Sequence, residues 1–290
     1  MKAGFIQFNP EFGEIDHNIG RARALMASVD AQLVVLPEFF NTGYLIATRQ
    51  EAWDLGETIP QGKTTAALCE IARAKNLYIV AGLIEKAGEK LFNAAVLVSP
   101  DGYVATYRKM HLFNEEKRWF DPGDKGFEVH DLGICKIGIM ICFDWFFPES
   151  MRILALQGAD IICHSANLVL PFCQDAMVTR CLENRVYAIT ANRTGVETRG
   201  GKSFRYTGRS QITAPGAQIL YRGGSESEEV GVAELDLAVV REKKINVFND
   251  LFADRRTEYY GTLTFPAGTD ATKHENAATS PIPPFSCNGE

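Results

Sequence analysis

A six-residue run, Lys136 to Ile141, constrains the fold of this chain more than any other stretch. Its residues are mostly aliphatic and show no polar alternation, which is the pattern of a strand buried on both faces in a layered α/β protein. The run ends at Cys142, and four aromatic residues precede Pro148, where a helix can begin. The sequence therefore predicts a strand that delivers a thiol into a tight strand-to-helix turn.

The position of Cys142 permits two interpretations. Free cysteines are most often small buried hydrophobic residues, and this stretch alone does not exclude that role. A nucleophile would benefit from the same position, because a sharp turn exposes the side chain and leaves backbone N–H groups free to meet a developing oxyanion.

The composition excludes several classes of protein. With 290 residues, a net charge of −6 and a pI near 5.5, the chain has no basic stripe for nucleic acid. No apolar run reaches membrane-spanning length, so we expect no membrane partner and a cytoplasmic location. Alternating strand-like and helix-like patterns favour one α/β domain.

The cysteine and histidine residues predict neither disulfides nor a metal site. The seven cysteines are scattered, with no CxxC pair and no Cys/His ligand spacing, which fits a reducing compartment. The five histidines are also dispersed, and we expect only His111 to lie beside a candidate site.

Charged residues stand at the ends of two other strand-like segments. Glu38 directly follows the apolar run Gln32 to Pro37, and Lys109 follows the second arm of a hairpin whose turn lies at residues 99–102. Ligand crevices of α/β folds lie at strand ends. A carboxylate there can take the proton of a thiol, and an ammonium can lower the thiol pKa and stabilise an oxyanion. Each charge alone could be an ordinary surface residue.

Three segments make the chain resemble the nitrilase superfamily of carbon–nitrogen hydrolases. They are LPEFFNTGY around Glu38, YRKMHLF around Lys109 and MICFDWFFPES around Cys142, and they occur in the order of the family. The resemblance implies Glu38 as general base, Lys109 as cationic stabiliser and Cys142 as nucleophile. It also implies that neither a cofactor nor a metal is needed.

The resemblance further implies a fold and a domain organisation. The family fold is a four-layer α-β-β-α sandwich, and its members commonly form homodimers or larger homo-oligomers. We therefore expect a carbon–nitrogen hydrolase domain over residues 1–260. Residues 261–290 have the composition of a C-terminal tail, which could dock on a neighbouring subunit.

Other site residues follow from the same resemblance. Many members carry a second glutamate after the lysine; Glu116 matches that position best, and the neighbouring Glu115 is the alternative. The oxyanion would be held by the Lys109 ammonium and the backbone N–H of Phe143. The residues expected to line the substrate pocket are Tyr44, Trp119, Trp145 and Asn167.

The residues after the nucleophile favour one branch of the superfamily. True nitrilases usually have Trp-Glu there, whereas this chain has Phe143 and Asp144. We therefore expect a small aliphatic amide to be converted to a carboxylate and ammonia through a thioester. Hydrolysis of small aliphatic nitriles is the second hypothesis and hydrolysis of an N-carbamoyl amine or amino acid the third. A scaffold without catalytic activity is the alternative from a different class.

Only the side chains predicted near the thiol indicate which acyl group the substrate carries. Aromatic walls from Trp145, Phe146 and Phe147 beside the thiol would favour a small, uncharged or apolar acyl group. An N-carbamoyl amino acid would require a cation for its carboxylate, and Arg180 could be that cation or a structural ion-pair partner.

Overall fold

The computed structural model describes residues 1–266. The chain divides into two compact units, Met1–Lys243 and Lys244–Glu290. The described part of the second unit contains a β-bridge between Lys244 and Asp250 and two short 3₁₀ helices, Thr257–Tyr259 and Gly261–Thr264.

The first unit alternates strands and helices along the chain. Its strands are β1 (Lys2–Gln7), β2 (Leu33–Val35), β3 (Glu57–Thr58), β4 (Tyr78–Ala87), β5 (Lys90–Ser99), β6 (Gly102–Arg108), β7 (Val129–Asp131), β8 (Lys136–Ile141), β9 (Ile161–Ser165), β10 (Tyr187–Ala191), β11 (Val196–Arg199), β12 (Lys202–Arg205), β13 (Gln211–Thr213), β14 (Ile219–Arg222) and β15 (Glu229–Glu234). Its α-helices are α1 (Ile15–Met26), α2 (Arg49–Leu55), α3 (Lys63–Lys75), α4 (Glu116–Trp119), α5 (Pro148–Leu156), α6 (Cys173–Asn184) and α7 (Ala238–Arg241).

Two large sheets form the centre of the first unit. The first has the order β15-β1-β2-β4-β5-β6, with β3 beside β4, and the second has the order β14-β13-β10-β9-β8-β7. The neighbours β1, β2 and β4 are parallel, as are β8, β9 and β10. A separate hairpin is formed by β11 and β12.

The sheets pack face to face between two layers of helices. Strand β1 lies against β10, and β4 lies against β9. Helices α1 and α3 pack on the first sheet, and α5 and α6 pack on the second. A large apolar cluster fills the space under α1 and α3, and it includes Ile6, Met26, Val34, Leu68, Ile71 and Ile79. The predicted α-β-β-α sandwich is confirmed.

The stretch from which the sequence analysis began folds as predicted. Strand β8 spans Lys136–Ile141 and is buried except for its first residue. Pro148 occupies the first turn of α5, where the missing N–H of proline costs nothing. The turn at residues 99–102 joins β5 and β6, also as predicted.

Several elements were not predicted by the sequence patterns. These include α2 and the β11–β12 hairpin, which are short and carry mixed burial patterns. The predicted strand from Gln32 to Pro37 is shorter, because only Leu33–Val35 is strand. Among the described residues, no helix has both the length and the apolar character that crossing a membrane requires.

The predicted domain boundary at residue 260 lies beyond the end of the first unit, Met1–Lys243. Most of the predicted tail, residues 267–290, lies outside the described residues. Its docking on a neighbouring subunit stays a prediction.

The close approach of β4 to the turn at Glu38 can be tested by filling Gly82. An alanine Cβ at this position would lie 2.5 Å from the Cα of Glu38, a backbone atom. We expect Gly82→Ala to lower the free energy of unfolding by about 1–3 kcal/mol, measured by urea denaturation. Gly20→Ala in α1 is the matched control, because its added Cβ has no neighbour within 4 Å and alanine is the better helix former. Equal effects of the two substitutions would contradict the close approach.

Candidate active site

Cys142 lies where β8 passes into a 3₁₀ helix, Cys142–Phe146. Its φ angle of 41° is in the left-handed region, which costs a residue with a side chain about 1–2 kcal/mol. The cysteine side chain is nearly buried, with 6% of its surface exposed. A strained, buried cysteine at a turn is a position that the surrounding structure must hold in place.

Asp144 holds this turn together. Its carboxylate accepts hydrogen bonds from the Ile141 N–H at 2.9 Å and the Tyr107 hydroxyl at 2.7 Å. The second oxygen accepts from the His111 N–H at 3.1 Å and lies 2.8 Å from the ring Nδ1 of the same histidine. His111 thus supports the turn through Asp144.

Lys109 follows β6 and is fully buried between two carboxylates. Its Nζ lies 2.8 Å from Glu38 Oε1 and 2.8 Å from Glu116 Oε2. The Tyr44 hydroxyl donates to Glu116 Oε1 at 2.6 Å. Burial by itself lowers the pKa of Lys109, but the charges of Glu116 and Glu38 outweigh it and raise the pKa above its usual value. The lysine is therefore a permanent cation.

Glu38 is fully buried, and its two oxygens differ. Oε1 accepts from Lys109 Nζ and from Asn93 Nδ2 at 2.7 Å, whereas Oε2 has no hydrogen-bond partner among residues 1–266. Burial and the charge of Glu116 raise the pKa of Glu38, although Lys109 and Asn93 oppose the shift. The arrangement leaves one free carboxylate oxygen with increased affinity for a proton.

The thiol of Cys142 is protonated at rest. Burial and the charge of Glu38 raise its pKa well above the usual value, and Lys109 only partly opposes this. The Lys109 charge does lower the thiol pKa, as expected for an ammonium, but burial and the charge of Glu38 outweigh it. A base must therefore remove the proton of the Cys142 thiol during the reaction.

Glu115 and Glu116 have different environments. Glu116, at the start of α4, is buried against Lys109, and its Oε2 also accepts from the Phe113 N–H at 3.1 Å. Glu115 instead forms ion pairs with Lys202 and Arg118 on the surface. Of the two candidates, Glu116 is the one that the fold brings to Lys109.

Asn167 connects the cysteine with the glutamate. Its main-chain carbonyl oxygen lies 3.8 Å from Cys142 Sγ. Its side-chain Nδ2 donates to the main-chain oxygen of Glu38 at 2.8 Å. A cavity beside the thiol is lined by Phe113, Cys142, Phe143, Trp145, Asn167 and Leu168 to Leu170. Two of the four predicted pocket residues thus lie beside the cysteine.

The other two predicted pocket residues, Tyr44 and Trp119, line a separate cavity with Glu116. The predicted aromatic wall is wrong in part. Phe146 is half exposed, and Phe147 stacks on His111 with ring centroids 3.7 Å apart, so neither lines the cavity beside the thiol. Phe113 and Phe143 line that cavity instead.

Two further side chains beside the site were not predicted from the sequence. Asn93 interrupts the otherwise apolar centre of β5, and that interruption was a signal for a buried polar contact. His164, at the end of β9, has its Nε2 3.0 Å from the Cys142 carbonyl oxygen. The expectation that only His111 among the histidines lies beside the site is therefore wrong.

Arg180, proposed as a possible carboxylate holder, lies in α6. Its guanidinium is 3.1 Å from Glu183 on the same helix, which favours the structural interpretation. In the part of the chain that the structure describes, no group of three or more His, Cys, Asp and Glu residues could hold a metal ion.

Removal of the Lys109 ammonium should leave the two buried carboxylates, Glu38 and Glu116, without a compensating charge. We expect Lys109→Met to lower the free energy of unfolding by about 3–5 kcal/mol at neutral pH, because uncompensated charge is left buried. This loss of stability should be smaller at about pH 5, because the remaining carboxyl groups can then take up protons and lose their charge. Urea denaturation at both pH values measures this. Lys125→Met, on an exposed lysine, is the control and should change stability little. A similar loss in both variants would show that Lys109 does not compensate the buried carboxylates.

Comparison with known proteins agrees with this fold. Residues 2–245 match the carbon–nitrogen hydrolase family. The chain is 51% identical over 263 residues to a nitrilase of Pyrococcus abyssi, covering 90% of this chain and 99% of that protein. It is 30% identical over 269 residues to an omega-amidase of Danio rerio, covering 87% and 93%. A solved carbon–nitrogen hydrolase of Helicobacter pylori G27 superposes with a TM-score of 0.81 at 26% identity, covering 92% and 98%. The chain is thus a carbon–nitrogen hydrolase of the nitrilase superfamily.

Proposed function

We propose that this enzyme hydrolyses a small aliphatic amide to a carboxylate and ammonia, with Cys142 as nucleophile and Glu38 as general base. One observation carries the proposal: Glu38 is a buried carboxylate with one oxygen bound to Lys109 and the other without a partner among the described residues. Such a group can take a proton, keep it away from water and return it.

Acylation begins at the protonated thiol. Glu38 takes the Sγ proton while the sulfur attacks the amide carbon, and the carbonyl oxygen becomes an oxyanion. The Lys109 ammonium and the Phe143 N–H stabilise that oxyanion. Glu38, now neutral, protonates the nitrogen as the carbon–nitrogen bond breaks. Ammonia leaves, and a thioester remains on Cys142.

Deacylation uses the same groups. Glu38 takes a proton from a water molecule that attacks the thioester carbon, and a second oxyanion forms against Lys109 and Phe143. The intermediate collapses with release of the sulfur, which recovers its proton from Glu38. The product is the carboxylic acid, and no cofactor or metal is required at any step.

Glu116 and Tyr44 complete the proposed site. Glu116 holds Lys109 in place against Glu38, and Tyr44 holds Glu116 through its hydroxyl. A carboxylate of this kind can also accept a hydrogen bond from the N–H of a substrate amide. We assign substrate contacts to Tyr44 and to three further residues, Trp119, Trp145 and Asn167.

Nitrile hydrolysis is the second candidate, favoured by the 51% identity to a nitrilase. A nitrile would react with the same thiol, but the first adduct would be a thioimidate that takes up water before ammonia leaves. The N-carbamoyl hypothesis gains no support from Arg180, because its guanidinium forms an ion pair with Glu183. Homo-oligomer formation and a cytoplasmic location stay predictions.

A matched substrate panel tests the proposal. A small aliphatic amide, the corresponding nitrile and an N-carbamoyl amine are each incubated with wild type and Cys142→Ala, and ammonia release is measured. We expect turnover of the amide by wild type only. Faster ammonia release from the nitrile than from the amide would identify the enzyme as a nitrilase. Turnover by a folded Cys142→Ala variant would show that Cys142 is not the nucleophile. A wild-type protein that is inactive on all three substrates would favour the alternative of a scaffold without catalytic activity.

The pH dependence of the reaction reports on Glu38. The base must be ionised, so kcat/KM falls as pH drops through its raised pKa. The hydrogen bond from Asn93 stabilises the ionised form and lowers that pKa. We therefore expect Asn93→Leu to move the acidic limb of the kcat/KM profile to higher pH.

Asn18→Leu is the matched control for that experiment. Asn18 is a buried asparagine of α1, and it donates to the main-chain oxygens of Glu11 and Asn41. The control should lose stability without moving the acidic limb. An unmoved limb in Asn93→Leu would show that a different group is the base.

A further inference from the structure

The hydrogen bond between His164 and the main chain of Cys142 has no role in the mechanism above. His164 is fully buried in β9, between β8 and β10. Its Nε2 lies 3.0 Å from the Cys142 carbonyl oxygen, and its Nδ1 lies 3.1 Å from Thr190 Oγ1 on β10. Both ring nitrogens therefore have a partner inside the protein.

These partners fix the protonation of the ring. A carbonyl oxygen can only accept, so Nε2 carries the hydrogen and donates to Cys142. Burial lowers the pKa of His164 to about 4, so the imidazole is neutral at neutral pH. In a neutral ring Nδ1 is then an acceptor, and the Thr190 hydroxyl donates to it. The donors point in one direction, from Thr190 through His164 to Cys142.

The Cys142 carbonyl and the Phe143 N–H belong to the same peptide unit. The only cis peptide bond among the described residues is Ile59–Pro60, so this unit is trans. A trans peptide is planar, and its C=O and N–H point in opposite directions. A donor that fixes the direction of the carbonyl therefore fixes the direction of the N–H. Hydrogen bonds in such a chain also polarise one another, which makes the N–H a stronger donor.

This peptide needs an external restraint. The φ angle of 41° at Cys142 lies in a sparsely populated region, and the flanking structure must hold it there. Asp144 fixes the turn through the Ile141 N–H on one side. His164 fixes the carbonyl of Cys142 on the other.

We propose that His164 is a positioning residue that aims the Phe143 N–H at the substrate oxyanion by holding the Cys142 carbonyl. The inference rests on the proposed function, in which that N–H is an oxyanion donor. His164 acts through the peptide and takes no part in proton transfer.

Three measurements on His164→Leu separate this role from a general structural one. The first is kcat and KM for the amide substrate. The second is inhibition by a small aliphatic aldehyde, which forms a tetrahedral thiohemiacetal on Cys142 and uses the same oxyanion donors. The third is the rate at which methyl methanethiosulfonate converts the Cys142 thiol to a methyl disulfide with release of methanesulfinate, followed by peptide mass spectrometry. That reaction forms no oxyanion on carbon.

We expect kcat to fall by ~10- to 100-fold, somewhat less than the complete loss of an oxyanion donor. Aldehyde inhibition should weaken by a similar factor, while KM and the rate of disulfide formation stay near the wild-type values. His164→Gln should recover part of the activity, because its side-chain amide can donate to the Cys142 carbonyl. Thr190→Val should show a smaller loss in the same direction and serves as the test variant if His164→Leu does not fold.

Ser165→Ala is the matched control, because its buried hydroxyl on β9 has no hydrogen-bond partner among residues 1–266. It should change none of the three measurements. Unchanged kcat and aldehyde inhibition in His164→Leu and Thr190→Val would overturn the proposal. A parallel fall in disulfide formation would assign His164 a structural role only. Retained turnover in Cys142→Ala would instead reject the proposed function itself, whatever His164 does.

Discussion

The ammonium of Lys109 is fully buried and lies 2.8 Å from an oxygen of each of two carboxylates, those of Glu38 and Glu116. An isolated buried charge is very unfavourable, so the lysine requires these partners and they require the lysine. The three residues come from the loop after β2, the end of β6 and the start of α4. The sheet and the loop before α4 must therefore be formed before the cluster can be stable.

The same charges set the chemistry of the thiol. Burial raises the pKa of Cys142, and the charges of Glu38 and Glu116, which Lys109 only partly opposes, raise it further. A resting thiolate would be unfavourable here. The site instead keeps the proton on sulfur and contains a carboxylate oxygen, Oε2 of Glu38, that has no partner among the described residues and can receive a proton. In the proposed mechanism, the proton moves to Glu38 as the sulfur attacks the substrate carbon.

The sequence predicted the main strands and the residues at their ends, because buried strands have continuous apolar patterns and charged residues after them are conspicuous. Short elements such as α2 were missed, since seven residues carry little periodicity. Asn93 and His164 were missed because both lie within strands, where their contacts depend on which strand is the neighbour. The predicted position of Phe146 and Phe147 beside the thiol was wrong, because Phe146 is half exposed and Phe147 stacks on His111, a contact between residues far apart in the chain.

By itself, the sequence determined that this chain forms strands followed by a glutamate, a lysine and a cysteine, and its motif order placed it in the nitrilase superfamily. These properties depend on local pattern and on residue chemistry. Only the tertiary structure decided that Glu116 and not Glu115 meets Lys109, that the thiol is protonated at rest, and that His164 holds the Cys142 carbonyl. Each of these depends on distances and burial between residues far apart in the chain, because a charge or a hydrogen bond acts through space and not along the sequence.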